Sequence, residues 1–144
     1  METRHGFTEQ LRGLEQQTLE GFDFVIQSLD RTMEALNHRD IELASIVIAD
    51  DDRIDGRYLE VHQGVLTLLA LQSPVATDLR IVAALLHVVK HLERMGDQCV
   101  NICKLLPLAG HEPPVDAEMM EKIDRMGVTT RSMVQQSKLA FESR

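Results

Sequence analysis

The sequence predicts an all-α fold, an antiparallel three-helix bundle followed by a fourth helix. Apolar residues make up 44% of the chain but aromatic residues only 3%, a composition that favours packed helices over a β-sandwich. The apolar residues recur at steps of three and four, which is the period of a helix with one buried face. Four prolines leave two long Pro-free stretches, Met1 to Ser73 and Val75 to Leu106. A length of 144 residues fits one domain, or one structural unit and part of another.

The first two helices are defined by their apolar stripes and by the segment between them. We expect Asn37 to close the first helix in the left-handed conformation and Asp40 to cap the second. The stripe of the first helix is Phe7, Leu11, Leu14, Thr18, Phe22, Val25, Leu29, Met33 and Leu36. The second helix carries Leu43, Val47, Ile54, Val61, Val65, Leu68 and Leu69 on its apolar side.

The third and fourth helices are separated by a Pro-rich segment. We expect Ser73 to cap the third helix and Pro74 to occupy its first position, where no amide donor is needed. Leu106 to Pro114 is typical of a linker, and Asp116 can cap the fourth helix. The apolar stripe of that helix has no obvious partner in a bundle that three helices already close, so we expect self-association or a missing C-terminal part. Its members are Met119, Ile123, Met126, Thr130, Met133 and Ala140.

Charge and motif content exclude several classes of protein. Asp and Glu outnumber Lys and Arg by 23 to 15, and the formal charge of −8 argues against nucleic acid or an anionic membrane as a partner. No signal peptide or membrane-length apolar run is visible, and two cysteines make no disulfide framework. We therefore expect a cytoplasmic protein without membrane insertion. A phosphate loop, a nucleophile elbow and a Cys-pair zinc motif are all missing from the sequence, and we expect no enzyme.

Two pairs of carboxylates are the candidate metal ligands. Asp51 and Asp55 lie one helical turn apart on the second helix, and Glu93 and Asp97 lie one turn apart on the third. Measured from the turn at Ser73, the two pairs are level to within about two residues, or about 3 Å of rise. Like charges at this spacing repel, and a hard cation would remove the repulsion. The sequence therefore predicts a metal site on these four residues, with a divalent or trivalent ion such as Fe, Zn, Mn or Mg.

Two other interpretations stay open at the level of the sequence. The acids could be solvated and paired with Arg53, Arg57 and Arg94, which would leave a plain helical oligomerisation module without metal. A carboxylate-bridged di-metal enzyme would need Glu-x-x-His on its helices, but Gly96 stands three residues after Glu93.

Histidine and cysteine offer weaker candidates. His87 and His91 have a spacing that zinc can use, but they fall on the polar flank of the third helix. We expect Cys99 and Cys103 to be small buried core residues.

Three spaced segments carry a resemblance to a known family. The turn Pro74-Val75-Ala76-Thr77-Asp78-Leu79-Arg80 is followed by Leu92-Glu93-Arg94-Met95-Gly96-Asp97 and then by Asn101-Ile102. This order resembles the PhoU family of phosphate-signalling proteins, with Met95 in place of the usual Ile. Val47-Ile48, which lead to Asp51 and Asp55, match the second-helix pattern of the family.

The resemblance implies a fold, a function and partners. PhoU-like proteins consist of two similar three-helix repeats whose acidic motifs bind metal ions, and the metal role carries over to Asp51, Asp55, Glu93 and Asp97. The family regulates phosphate uptake negatively by linking a phosphate ABC transporter to a sensor histidine kinase. Residues 1–108 would form one repeat, and residues 109–144 a linker and the first helix of an incomplete second repeat. Two copies could then associate as a homodimer.

Overall fold

The computed structural model describes residues 2–74, 76–110 and 116–144, and within these ranges it contains helices and no strand. The helices are α1 (Glu2–His38), α2 (Ile41–Leu71), α3 (Ala76–Ala109) and α4 (Ala117–Ser143). The all-α class predicted from the sequence is confirmed. None of these helices is apolar enough over a sufficient length to cross a membrane, as far as the described residues go.

Helices α1, α2 and α3 run up, down and up around one core. At one end, the start of α1 meets the end of α2 and the start of α3, through Phe7, Leu11, Val61, Val65, Val82 and Leu85. At the other end, the end of α1 meets the start of α2 and the end of α3, through Leu29, Ala35, Ala44, Val47, Cys103 and Leu106. Phe22, Val25, Ile54 and Leu92 fill the middle. This antiparallel order places the centres of α2 and α3 side by side.

Aspartate side chains cap two of the helices, as predicted. Asp40 accepts a hydrogen bond from the backbone N–H of Leu43 at 3.0 Å, and Asp116 accepts one from Met119 at 3.0 Å. The close of α1 differs from the expectation, because the helix continues through Asn37 to His38 and Arg39 takes the positive φ of 52°. The left-handed residue therefore lies two positions later than the sequence indicated.

The limits of α3 also differ from the expectation. Ser73 and Pro74 lie before the helix, which starts at Ala76, so the predicted cap at Ser73 was wrong. Ala76, two residues after Pro74, has a positive φ of 45°, so the chain turns into the helix at this residue and not at Ser73. At its other end, α3 continues through Pro107 to Ala109, because an exposed proline near the last turn removes one backbone donor only. The linker is therefore shorter than Leu106 to Pro114, and residues 111–115 lie outside the described residues.

Helix α4 lies antiparallel on α1 and is held there by polar contacts. Arg131 pairs with Asp30 at 2.8 Å, Lys138 pairs with Asp23 at 2.7 Å, and Arg144 pairs with Glu15. Only Gly127 and Val134 are buried among the residues of α4. Within the described residues, the backbone of α4 approaches α1 and neither α2 nor α3.

The glycine on α4 allows this close approach. A Cβ at position 127 would lie 2.6 Å from the side chain of Met33. Met119, Met126 and Met133, three members of the predicted apolar stripe, remain exposed. Ile123 of the same stripe is half-buried, so the described chain covers the stripe in part and leaves its methionines exposed.

Candidate metal centre

The four predicted carboxylates meet at the middle of the bundle, between α2 and α3. One oxygen from each of Asp51, Asp55 and Asp97 lies within 4.8 Å of the others. Glu93 lies beside Asp97, one turn earlier along α3. All four side chains are partly exposed, beside the buried Ile54 and Leu92. The structure thus brings together Asp51, Asp55 and Asp97, and Glu93 lies next to this group without being part of it.

The mutual repulsion of the carboxylates has a clear electrostatic signature. Partial burial raises the pKa of Asp51 from 3.8 to about 6, and the neighbouring charges of Asp55 and Asp97 add to the shift. Burial, with the charge of Asp97, raises the pKa of Asp55. Burial, with the neighbouring carboxylate of Asp97, raises the pKa of Glu93. Each shift means that the folded chain disfavours negative charge at this position.

The arginines that could have neutralised these acids are engaged elsewhere. Arg57 pairs with Glu20 at 2.6 Å and with Glu60 at 2.9 Å. The guanidinium of Arg53 lies 4.5 Å from the ring centre of Phe24. Within the described part of the chain, no Lys or Arg forms an ion pair with any of the four acids. The interpretation in which Arg53, Arg57 and Arg94 neutralise the acids therefore does not match the structure.

Gly96 gives the cluster its space, and the sequence analysis did not assign it that role. A Cβ at position 96 would lie 2.8 Å from Asp51 Oδ1 and 2.9 Å from Cδ1 of Ile54. Both contacts are closer than real Cβ atoms show, so a larger residue would require the side chains of Asp51 and Ile54 to move. A glycine in the interior of a strongly helical segment is the signal that could have indicated this.

The donor set fits a hard cation. Asp51 Oδ1 is buried and has no hydrogen-bond partner among the described residues. An unsatisfied buried oxygen is costly, and a metal ion would satisfy it. A point between three oxygens that lie within 4.8 Å of one another is at most about 2.8 Å from each of them, slightly beyond the roughly 2.3 to 2.6 Å of Ca²⁺–oxygen contacts, so small side-chain adjustments would let all three bind one ion. Asp51, Asp55 and Asp97 would hold such an ion, with Glu93 next to them.

The other candidate residues do not join this cluster. His87 and His91 are exposed on α3, as the sequence indicated. Cys99 and Cys103 are buried free thiols, and burial raises the pKa of both. The Sγ of Cys103 lies 3.5 Å from Thr32 Oγ1. The cysteines are therefore core residues, as expected.

The fold and the site together define a class of protein, a small helical bundle that gathers carboxylates across an antiparallel helix pair. The family model described as PhoU domain matches residues 18–106 of the chain. The chain belongs to the PhoU family, and the resemblance carried by its motifs is confirmed.

Known relatives agree with this assignment. The chain is 32% identical to the phosphate-specific transport system accessory protein PhoU homolog of Aquifex aeolicus, over 92% of this chain and 59% of that protein. It is 33% identical to the Clostridium acetobutylicum protein of the same name, over 99% of this chain and 64% of that one. The crystal structure of the phosphate transport system regulatory protein PhoU from Streptococcus pneumoniae superposes with a TM-score of 0.84 at 29% identity, over 94% of this chain and 63% of that one. The chain thus spans less than two thirds of the length of these relatives.

Proposed function

We propose that the chain is a metal-binding regulatory adaptor of phosphate uptake. In this role it holds a divalent or trivalent ion on Asp51, Asp55, Glu93 and Asp97. It acts in the cytoplasm as a negative regulator of phosphate-starvation signalling, between a phosphate ABC transporter and a sensor histidine kinase. Residues 1–108 act as one complete repeat, and two copies associate as a homodimer.

One observation carries the proposal: in a PhoU-family chain, a carboxylate cluster that forms no ion pair with any Lys or Arg among the described residues. The relatives named above are accessory or regulatory proteins of phosphate transport, which supports the transporter as a partner. The buried oxygen of Asp51, which has no hydrogen-bond partner among the described residues, and the space left by Gly96 support the assignment of a metal site. An ion bound here would tie α2 to α3 and fix the acidic surface between them, and a partner protein would recognise that surface.

A di-metal enzyme is less compatible with this geometry. Such a site needs a histidine three residues after the glutamate, at position 96. A Cβ there would already meet Asp51 and Ile54, so the position has no room for an imidazole.

Metal analysis tests the binding part of the proposal. The chain is purified without chelator, its metal content is measured by mass spectrometry, and the chelated protein is titrated with Mn²⁺, Zn²⁺ and Fe²⁺ by calorimetry. We expect binding that is lost in the Glu93→Ala, Asp97→Ala double variant. An exposed control, Asp52→Ala, should retain it. Equal binding by both variants would place the ion elsewhere.

Complementation tests the regulatory part. In a bacterial host from which its own relative has been deleted, the chain should restore repression of a phosphate-starvation reporter at high phosphate. The double variant should leave the reporter active, at equal protein level by immunoblot. If both proteins restore repression equally, the metal site is not needed for the regulatory role. If neither does, the described length of chain does not suffice for it.

A further inference from the structure

Sulfur-bearing side chains gather on the side of the bundle away from the carboxylates. The described residues that line the apolar cleft between α3 and α4 number 15, and five of them carry sulfur: Met33, Met95, Cys99, Met126 and Met133. The chain of 144 residues has seven Met and two Cys, or one sulfur residue in 16, so an even spread would place about one of them in such a set. An apolar wall does not need this sulfur, because Leu, Ile and Val pack with better-defined rotamers.

Three of these side chains belong to α1 and α3, which pack against each other inside one bundle. Met95 and Cys99 lie one turn apart on the same face of α3, and residues at this spacing have Cβ atoms about 5–6 Å apart. Met33 of α1 packs against the buried cluster that contains Cys99, which is only 5% exposed. The group of Met33, Met95 and Cys99 is therefore held together by the bundle itself, whatever else covers the cleft.

The methionine side chains are long enough to bring their sulfur atoms to one point. Three sulfurs that surround one ion at about 2.3 Å each lie about 4 Å from one another. A methionine side chain has three rotatable bonds and a polarisable thioether, so it adapts to such a spacing without a shift of the helices. The Sδ of Met33 lies close to α4 at Gly127, where a Cβ would be 2.6 Å from it, so this sulfur points out of α1 toward the cleft.

The surroundings of the sulfurs select the kind of ion. None of the described residues that line the cleft is charged, so a divalent cation would bring an uncompensated charge into apolar surroundings. A monovalent cation bound by one thiolate, from Cys99, and by two neutral thioethers forms a centre without net charge. Soft thiolate and thioether ligands select Cu(I), whereas carboxylates suit Mg²⁺ and Mn²⁺.

We propose that Met33, Met95 and Cys99 form a Cu(I) site between α1 and α3. Binding forms one Cu–S bond to each residue, and the Cys99 thiol releases its proton to the solvent. Copper enters and stays as Cu(I), so no electron is transferred. The site is separate from the carboxylate cluster, because Asp97 lies about 160° around α3 from Cys99. The inference therefore goes beyond the proposed function and does not rest on it.

Anaerobic titration of the whole chain with Cu(I), in competition with a chromophoric Cu(I) chelator, tests the proposal. EDTA is present to keep hard cations off the carboxylates. The wild-type chain should bind one Cu(I) and show the ultraviolet charge-transfer band of a copper–thiolate bond, and Cys99→Ala should lose both. Met95→Leu keeps the volume of the side chain but removes a ligand. It should weaken binding by about tenfold or more, since even the loss of a group that only orients a ligand costs that much.

The chain offers a matched control for each variant. Cys103 is a second buried thiol, one turn further along α3, and it is not among the described residues that line the cleft. Met119 is exposed on α4, and it is not among them either. Cys103→Ala and Met119→Leu should both retain the affinity of the wild-type chain within about twofold.

Several outcomes would overturn the proposal. A chain that takes no Cu(I) from the chelator has no such site. Equal loss of binding in Cys99→Ala and Cys103→Ala would assign the ion to the two cysteines, and unchanged binding in Met95→Leu would exclude the thioether ligands. Circular dichroism checks the folding of each variant, and Met95→Leu carries the test if Cys99→Ala does not fold. Asp51→Asn should bind Cu(I) as the wild-type chain does, so a failure of the carboxylate site leaves these results unchanged.

Discussion

Asp51→Asn should change the stability of the protein in opposite directions with and without metal. In chelated protein, the variant removes one of the repelling carboxylates. The rise in the pKa of Asp51 from 3.8 to about 6 corresponds to a destabilisation of the folded state by about 3 kcal/mol before solvent screening, at about 1.4 kcal/mol per pKa unit. Because Asp51 is partly exposed to solvent, screening reduces this to about 1 kcal/mol. For a chain of this size, we expect a rise in Tm of about 3 °C.

In metal-loaded protein the same substitution should be destabilising. A ligand present at 100 times its Kd stabilises the folded state by about 2.7 kcal/mol. An amide at position 51 supplies a neutral oxygen in place of a charged one, so affinity falls and most of this stabilisation is lost. The Tm of the variant should then lie several degrees below that of wild-type protein at equal metal concentration.

Differential scanning fluorimetry at pH 7, with EDTA or with Mn²⁺, measures both effects. Asp52→Asn is the matched control, because Asp52 is exposed and adjacent in sequence and the variant loses the same charge. It should show a smaller rise in EDTA and keep the response to metal. A fall in the Tm of Asp51→Asn in EDTA would refute the electrostatic argument. An identical shift in EDTA and in metal would show that Asp51 is not a ligand.

Three further predictions use the same structure. Gly96→Ala should lower the free energy of unfolding by about 1–3 kcal/mol, since the added Cβ meets Asp51 and Ile54. The control Gly13→Ala, whose Cβ would meet nothing within 4 Å, should raise it by up to about 1 kcal/mol. Chemical denaturation measures both changes. The stability gap between Asp51→Asn and wild type in chelator should grow from near zero at pH 4 to its full size at pH 7. Between pH 3.8 and about 6 the folded state binds more protons than the unfolded state, so the wild-type protein loses stability as the pH rises. A stability gap that stays constant with pH in melting experiments would contradict this prediction. Raising salt should speed amide hydrogen exchange in α4 several-fold more than in α2, because ion pairs that include Lys138–Asp23 hold α4 on α1. Equal acceleration in both helices would show that these ion pairs contribute little to the docking of α4.

The sequence was sufficient for the helices and for the convergence of the acids because both follow from periodicity. Phe7 to Leu29 repeat at helical spacing and are buried as predicted. That Asp51 and Asp97 lie at similar heights along the bundle follows from counting residues on either side of one turn. An error of two residues in the position of that turn does not change this result. Ser73 was wrongly taken as a cap, yet the hairpin still places the acids within 4.8 Å of one another.

Local features that depend on tertiary contacts could not be predicted from the sequence. Nothing in the composition of α4 shows that its arginine and lysine meet Asp30 and Asp23, more than a hundred positions earlier in the chain. The role of Gly96 depends on the rotamer of Asp51 across the bundle. The positive φ at Arg39 reflects how α1 enters the turn, which no residue preference dictates at that position.

The carboxylate cluster works against the stability of the bundle, which is a physical reason to assign it a role. Leu or Met at position 51 or 97 would extend the apolar seam between Ile54 and Leu92 and remove a buried oxygen that lacks a partner. The chain instead places repelling groups there and keeps a helix-weakening glycine opposite them. Sites that break the local rules of stability in this way are characteristic of ligand binding. A bound cation would offset the repulsion between the carboxylates and would give the buried oxygen of Asp51 a partner.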